Sequence, residues 1–145
     1  MVSPLRLRRI TLGYYLEITV LPVLKRKCGG MVKLPELKKK VQKIVNKWIR
    51  LRDADLGCIS CGKRGEGQAG HYIAQGSSGA LRYHPDNLNK QCSQCNLWKH
   101  GSLVEYRMGL VKKIGEKRVK YLEEHKHDIK HWTREELEEL MVKYK

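Results

Sequence analysis

Two Cys-x-x-Cys pairs, Cys58 with Cys61 and Cys92 with Cys95, stand thirty residues apart in this chain. No other feature limits its folding as much. Two residues between thiols let a tight backbone knuckle aim both sulfurs at one ion, and a second knuckle completes a tetrahedron. The pattern predicts a structural zinc that ties together two distant points of the chain. A redox pair is the weaker reading, because thiol exchange uses one Cys-x-x-Cys and leaves the other unexplained. The stretch between the pairs exceeds the roughly fifteen to twenty residues of an ordinary zinc ribbon. The insertion therefore houses something else. The fifth cysteine, Cys28, stands apart from the quartet as a bystander.

At 145 residues the chain is long enough for one domain with one core and too short for a second full domain. Thirty Lys and Arg against fifteen Asp and Glu leave a formal charge of +15. A pI near 9.8 points to a polyanionic partner, nucleic acid before any other, since like charges at this excess oppose a compact state until something neutralises them. A membrane surface fits less well. The most apolar run, residues 10–24 "ITLGYYLEITVLPVL", is too short to span a bilayer and contains Glu17 and Pro22. It also lacks the charged start and small-residue cleavage site of a secretory signal. The chain reads as cytoplasmic, where thiols stay reduced and metal ligation is favoured over disulfides.

Residues 1–33 read as an extended or hairpin-like arm, with "CGG" as a breaker. Residues 34–57 carry a basic amphipathic helix running to about Arg52: Pro35 suits its first turn, and Leu37, Val41, Ile44, Val45 and Trp48 form one apolar stripe. Its other faces are basic, and Lys39, Lys43, Lys47 and Arg50 are candidate phosphate contacts, with a plain solvated face as the equal alternative. Residues 58–125 form the expected core. Glycine-rich turns there surround "HYIA", which suits two short strands and loops. Leu103, Tyr106, Leu110, Val111 and Ile114 then mark a helix interrupted by Gly115, with Val119 and Leu122 on a further short one. Residues 126–145 end in a helix whose Thr133 and Glu136 are spaced as a capping box ahead of Leu137, Leu140 and Met141.

The insertion holds His71, Asp86, Asn87 and, directly behind the last cysteine, Asn96. If zinc pins the two ends of the insertion together, His71 at the start of a strand faces Asn96 at the start of a helix. A neutral imidazole can take a proton from water at physiological pH and so make a nucleophile. A divalent ion held by oxygen ligands would stabilise charge on a phosphodiester, and Asn96 offers a carbonyl oxygen to it. Asn87 suits a loop brace through side chain to backbone hydrogen bonds. Plainer roles exist for each: a turn histidine, a helix-capping asparagine. His100 lies four residues after Asn96, on the same face if a helix has begun, and could reach the same ion. An exposed or phosphate-contacting histidine is its plainer role. Arg82 and Lys99 complete the expected DNA-contacting set.

Taken in order, "CISCGK", "AGHY", "LRYHPDN", "QCSQCN" and "EYRMGLVKKIG" resemble the NinG family, also called Rap, of phage recombination proteins, over roughly residues 35–124. The wider class this implies is the HNH or ββα-metal nucleases, in which a hairpin and a helix clasp one catalytic ion. The chain is similar in detail to the phage resolvase endonuclease VII, whose four zinc cysteines bracket its site, with an asparagine after the last. That likeness makes Asn96 a ligand of the catalytic ion, His71 the general base and Asn87 the middle residue of the H-N-H series. It implies an α+β fold, a zinc-stapled ββα-metal core flanked by α-helices and preceded by an extended arm. It also implies magnesium- or manganese-dependent cutting of branched double-stranded DNA, such as Holliday junctions and displacement loops, in the bacterial host. A homodimer is expected, because paired cuts across a junction need two single-site copies; host or phage recombination proteins are further expected partners.

Some positions depart from that pattern. Many HNH enzymes carry an aspartate or histidine directly before the base as a second ligand, and here that place is Gly70. Gln68, where the family often has an acidic residue, and His100 are the candidate replacements. The first residues also fail to match the longer, basic, cysteine-containing start expected of the family. A zinc-organised module that only binds DNA, and an HNH endonuclease for linear duplex, are the competing readings. Base-specific recognition is not expected, for lack of a recognition-helix signature.

Overall fold

The computed structural model describes residues 32–145. All but the last two residues of the expected 1–33 arm, and Cys28 with them, lie outside the described residues. The elements are α1 (Leu34–Arg52), β1 (Gln68–His71), β2 (Leu88–Gln91), a single π-helical turn (Gln94–Trp98), α2 (Leu103–Ile114), α3 (Glu116–Glu124) and α4 (Arg134–Lys143). The protein is thus a small α+β domain. None of the described helices is long and apolar enough to cross a membrane.

Pro35 sits in the first turn of α1, where its missing N–H costs nothing, and Glu36 and Arg50 match the helix dipole at the two ends. Leu37, Val41, Val45 and Ile49 recur at four-residue spacing and are buried, with Ile44 and Trp48 at the margin. This seam packs against Leu137 and Tyr144 of the C-terminal segment and against Tyr83 and Leu88 from the insertion. The Trp48 and Tyr144 rings meet edge to face at 4.9 Å. The capping box of α4 is formed as its sequence predicts: Glu136 N–H donates to Thr133 Oγ1, and Thr133 N–H to the Glu136 carboxylate. A second cluster joins Tyr106 and Leu110 of α2 to Val119 and Leu122 of α3 and to Leu81.

Between the two cores lies an antiparallel pair in which Gln68 faces Gln91 and His71 faces Leu88. His71 therefore ends its strand, where the sequence suggested that it begins one. The ladder stops just beyond: Tyr72 N–H still donates to its register partner, the Asn87 carbonyl, but Asn87 N–H turns back to His84 O and Ile73 N–H goes to the Asn87 side chain. The expected "HYIA" strand is consequently loop beyond its histidine. Asn96 is likewise the middle of a π-helical turn, not the start of an α-helix. That turn ends before His100, which has a left-handed φ of 49°, as Ser102 has at 44°. The shared helix face proposed for Asn96 and His100 does not exist.

Candidate metal centre and adjoining cleft

Both knuckles are built by the backbone around them. At the first, Cys58 N–H donates to Lys63 O and Gly62 N–H to Cys58 O, with Gly62 turning the chain at a φ of 73°. At the second, Asn96 N–H donates to Cys92 O, so the asparagine's position is fixed by the same turn that aims the thiols. Ile59 N–H donates to Lys90 O and ties the first knuckle to β2. The four sulfur atoms lie within 4.8 Å of one another. Cys61 Sγ and Cys92 Sγ are 3.8 Å apart, the edge of a tetrahedron drawn with Zn–S bonds of about 2.3 Å. Burial, then the neighbouring Cys61 and Cys92 thiols, push Cys95 up to about 12. Four clustered thiolates repel one another unless a cation stands among them. The donor set and its spacing fit a structural zinc.

Beside this centre a cleft of about 580 Å³ is lined by His71, Asn96, His100 and His127, among others. His71 and Asn96, expected to meet from separate stretches of the chain, thus share one surface with His100. His71 Nε2 lies 3.2 Å from Arg82 O. A carbonyl only accepts, so Nε2 carries the hydrogen and Nδ1 keeps its lone pair. Burial lowers the His71 pKa; the Arg82 carbonyl opposes this, and the Arg82 charge adds to it. The imidazole is therefore neutral near pH 7.

Gln68 does not line the cleft, but its Oε1 accepts a 2.7 Å hydrogen bond from Asn96 Nδ2. Gly70 is buried under Tyr106, whose hydroxyl donates to Gly70 O at 2.9 Å. A Cβ there would overlap Gln91 Oε1 and lie 3.2 Å from Asn96 Oδ1. Asn87 is fully buried, away from the cleft. Its side chain accepts from Ile73 N–H at 2.7 Å and donates to Ile73 O and Leu81 O, both at 3.0 Å. Lys39, Lys43, Lys47, Arg50 and Lys99 are exposed, whereas Arg82 is half-buried and donates through Nε to Gln42 on α1.

Several contributors have no signal in the sequence. The Arg82 carbonyl is a backbone atom, and its partner lies eleven residues away. His127 and Lys126 reach the cleft from the segment after α3. Gln91 reads in sequence as an ordinary strand residue before a cysteine. Asp53, at the C-cap of α1, joins α1 to β2 and α2: it accepts from Arg52, from Lys113 Nζ at 2.7 Å and from Lys90 N–H at 3.1 Å.

The fold and the site define a small α+β protein with four clustered cysteines positioned to bind a metal, and with a histidine and an asparagine brought together on one cleft. The chain belongs to the NinG family: the family model described as Bacteriophage Lambda NinG protein matches residues 23–145. Protein ninG of Escherichia phage 933W is 43% identical over 108 residues, which cover 73% of this chain and 53% of that protein. Protein ninG of Escherichia phage lambda is 42% identical over 108 residues, covering 73% and 52%. That of Salmonella phage P22 is also 42% identical, covering 73% and 53%. The chain spans about half the length of these relatives. No solved structure matches it.

Proposed function

We propose that this chain is a zinc-stapled endonuclease of the HNH type that cuts branched DNA, with His71 as general base and Asn96 as a ligand of a catalytic magnesium or manganese ion. The observation that carries the reading is the His71 ring. Its Nε2 hydrogen is committed to Arg82 O, leaving Nδ1 as the one ring atom able to take a proton from water, in the cleft that Asn96 also lines. An antiparallel pair followed by a π-helical turn and then α2 is an element order that supports this reading. Oxygen donors suit a hard divalent cation; Asn96 offers one in the cleft, and the Gln68 oxygen, a weaker candidate outside the lining, accepts from the Asn96 amide. Such an ion stabilises charge on the phosphate and the leaving oxygen.

The chain's own residues would do the remaining work. His71 accepts the proton of the attacking water, Arg82 O holds the ring in the productive tautomer, and Asn87 keeps the loop between the strands in place. The exposed basic residues of α1 and Lys99 would meet backbone phosphates, which favours recognition by shape and charge over base sequence. Two copies acting together would cut both strands across a junction.

The direct test is a labelled four-way junction incubated with purified protein, with and without magnesium or manganese, beside a matched linear duplex. Ion-dependent cutting of the junction that is lost in His71→Ala, with junction binding and zinc content kept, is the expected result. Undiminished cutting by that variant would remove the base assignment. A second reading is a zinc-organised module that holds DNA without cutting it. The absence of a side chain at Gly70, directly before the proposed base, favours it, and binding without cleavage under any divalent ion would establish it. Equal rates on the linear duplex would instead assign the chain to the linear-duplex enzymes of the class.

A further inference from the structure

We propose that Gln91, which is not itself among the residues lining the cleft, is a ligand of the divalent cation held by Asn96, its side-chain carbonyl oxygen supplying the contact that Gly70 cannot. The inference rests on the reading of Asn96 as a cation ligand and extends it to a residue outside the H-N-H series.

Gln91 ends β2 and is completely buried. Its amide orientation is settled by its partners. Nε2 donates to Gly101 O at 2.6 Å and to Ser60 Oγ at 2.8 Å. A backbone carbonyl cannot donate, so the nitrogen must face Gly101, and Oε1 must face the other way. That oxygen has no hydrogen-bond partner, and no other side-chain polar atom among the described residues is buried in this state. Buried polar groups are nearly always paired, so an orphan of this kind asks for a missing partner.

The position of Oε1 says what the partner is. A side chain on Gly70 would run into it and would also crowd Asn96 Oδ1, at 3.2 Å from the same Cβ position. Both carbonyl oxygens therefore border the space that a Gly70 side chain would fill. Asn96 Nδ2 cannot relieve them, since it donates to Gln68 Oε1. Two acceptor oxygens that border one space make it attractive to a positive group. A hard, oxygen-seeking cation such as Mg²⁺ or Mn²⁺ has the required chemistry, and neutral amide oxygens are ordinary ligands for such ions. The glycine before the proposed base then has a physical purpose. It leaves room for a glutamine from the facing strand, where other members of the class place a ligand on the base's own strand.

The test uses the full chain loaded with zinc and Mn²⁺ as the probe. Mn²⁺ binding is followed by the paramagnetic resonance of the free ion, and crystals of the unaltered protein soaked in Mn²⁺ are examined by anomalous scattering. Gln91→Leu and Asn96→Ala should each weaken Mn²⁺ binding at least tenfold while zinc content stays at one per chain. Because Gln91→Leu also removes the bonds to Ser60 and Gly101, the diffraction arm carries the inference without any variant. The anomalous peak should lie within about 2.0–2.3 Å of Gln91 Oε1. A peak on Asn96 with Oε1 out of coordination range would overturn the Gln91 assignment and leave the nuclease reading intact. A water between the two oxygens, or an Asn96 amide turned to donate to Oε1, would overturn it as well. Failure of the unaltered protein to bind Mn²⁺ would overturn both proposals.

Discussion

Burial lowers the His71 imidazole below its ordinary value of 6.5, and the consequence for activity has a definite sign. A base must be neutral to accept a proton, so cutting should rise as pH passes the lowered His71 value and level off above it. The acid limb of a pH–rate profile on a four-way junction is expected to fall below pH 6.5, and a midpoint above 6.5 would argue against His71 as the base. His71→Ala should lower the rate by roughly 10²- to 10⁴-fold. Stability follows the same sign, because the unfolded chain takes up this proton first: the contribution is complete above pH 6.5 and is lost as pH falls through the folded value. Asn87 makes a different kind of prediction. Its three side-chain hydrogen bonds hold Ile73 and Leu81, and Asn87→Ala would leave those backbone groups without partners. The expected loss is roughly 3 kcal/mol, measured by urea unfolding of the zinc-loaded protein. Its role as a loop brace is legible in "HPDN", since asparagine beside proline and aspartate commonly bonds nearby backbone. Which backbone atoms it holds is not, because one of its partners lies fourteen residues away.

Elements with strong local rules were readable, and elements fixed by distant contacts were not. The three- and four-residue apolar recurrence placed α1 and its approximate end at Arg52, and the Thr133 and Glu136 spacing placed the start of α4. The strand holding His71 was displaced, because the loop brace ends the ladder one residue after the register pairs it with Leu88. Asp53 is the clearest case of a hidden joint between elements. In "LRDADLG" it reads as a polar helix end, yet it is 1% exposed and bonds partners up to sixty residues away. Burial raises its pKa, but the hydrogen bonds from Arg52, Lys113 and Lys90 N–H outweigh this and keep the carboxyl below 3.8. Asp53→Ala would leave the half-buried Arg52 and Lys113 without their shared carboxylate, at an expected cost of about 3–5 kcal/mol in chemical denaturation. Since the folded value is depressed, this stabilisation is present above the unfolded carboxylate range and is lost as pH falls through the folded value. An Asp53→Ala protein as stable as the parent would show that the join between α1, β2 and α2 is held by packing alone.

At the scale of the whole molecule, the cysteine quartet told which distant points meet, while the net charge points only to a class of partner, a polyanion. If the quartet binds zinc, the cleft depends on that metal, because the second knuckle also fixes Asn96, which lines the cleft with His71. Removing zinc with a chelator should release the turn that carries Asn96, lower the melting temperature and abolish cutting, and restored zinc should return both. A charge of +15 has a sharper reading when joined to the placement of Lys39, Lys43, Lys47 and Arg50, all exposed on α1. If that helix lies along a DNA backbone, each of these cations displaces condensed counterions on binding. The logarithm of the junction-binding constant should then fall steeply and linearly with the logarithm of salt, and each lost phosphate contact should reduce the slope by about 0.9. Replacing all four by glutamine should lower the slope by roughly 3 to 4 without changing zinc content or the unfolding midpoint by much, as all four are exposed. A slope unmoved by the fourfold replacement would place the phosphate-contacting face elsewhere. A parent protein with almost no salt dependence would mean that its excess positive charge serves something other than DNA.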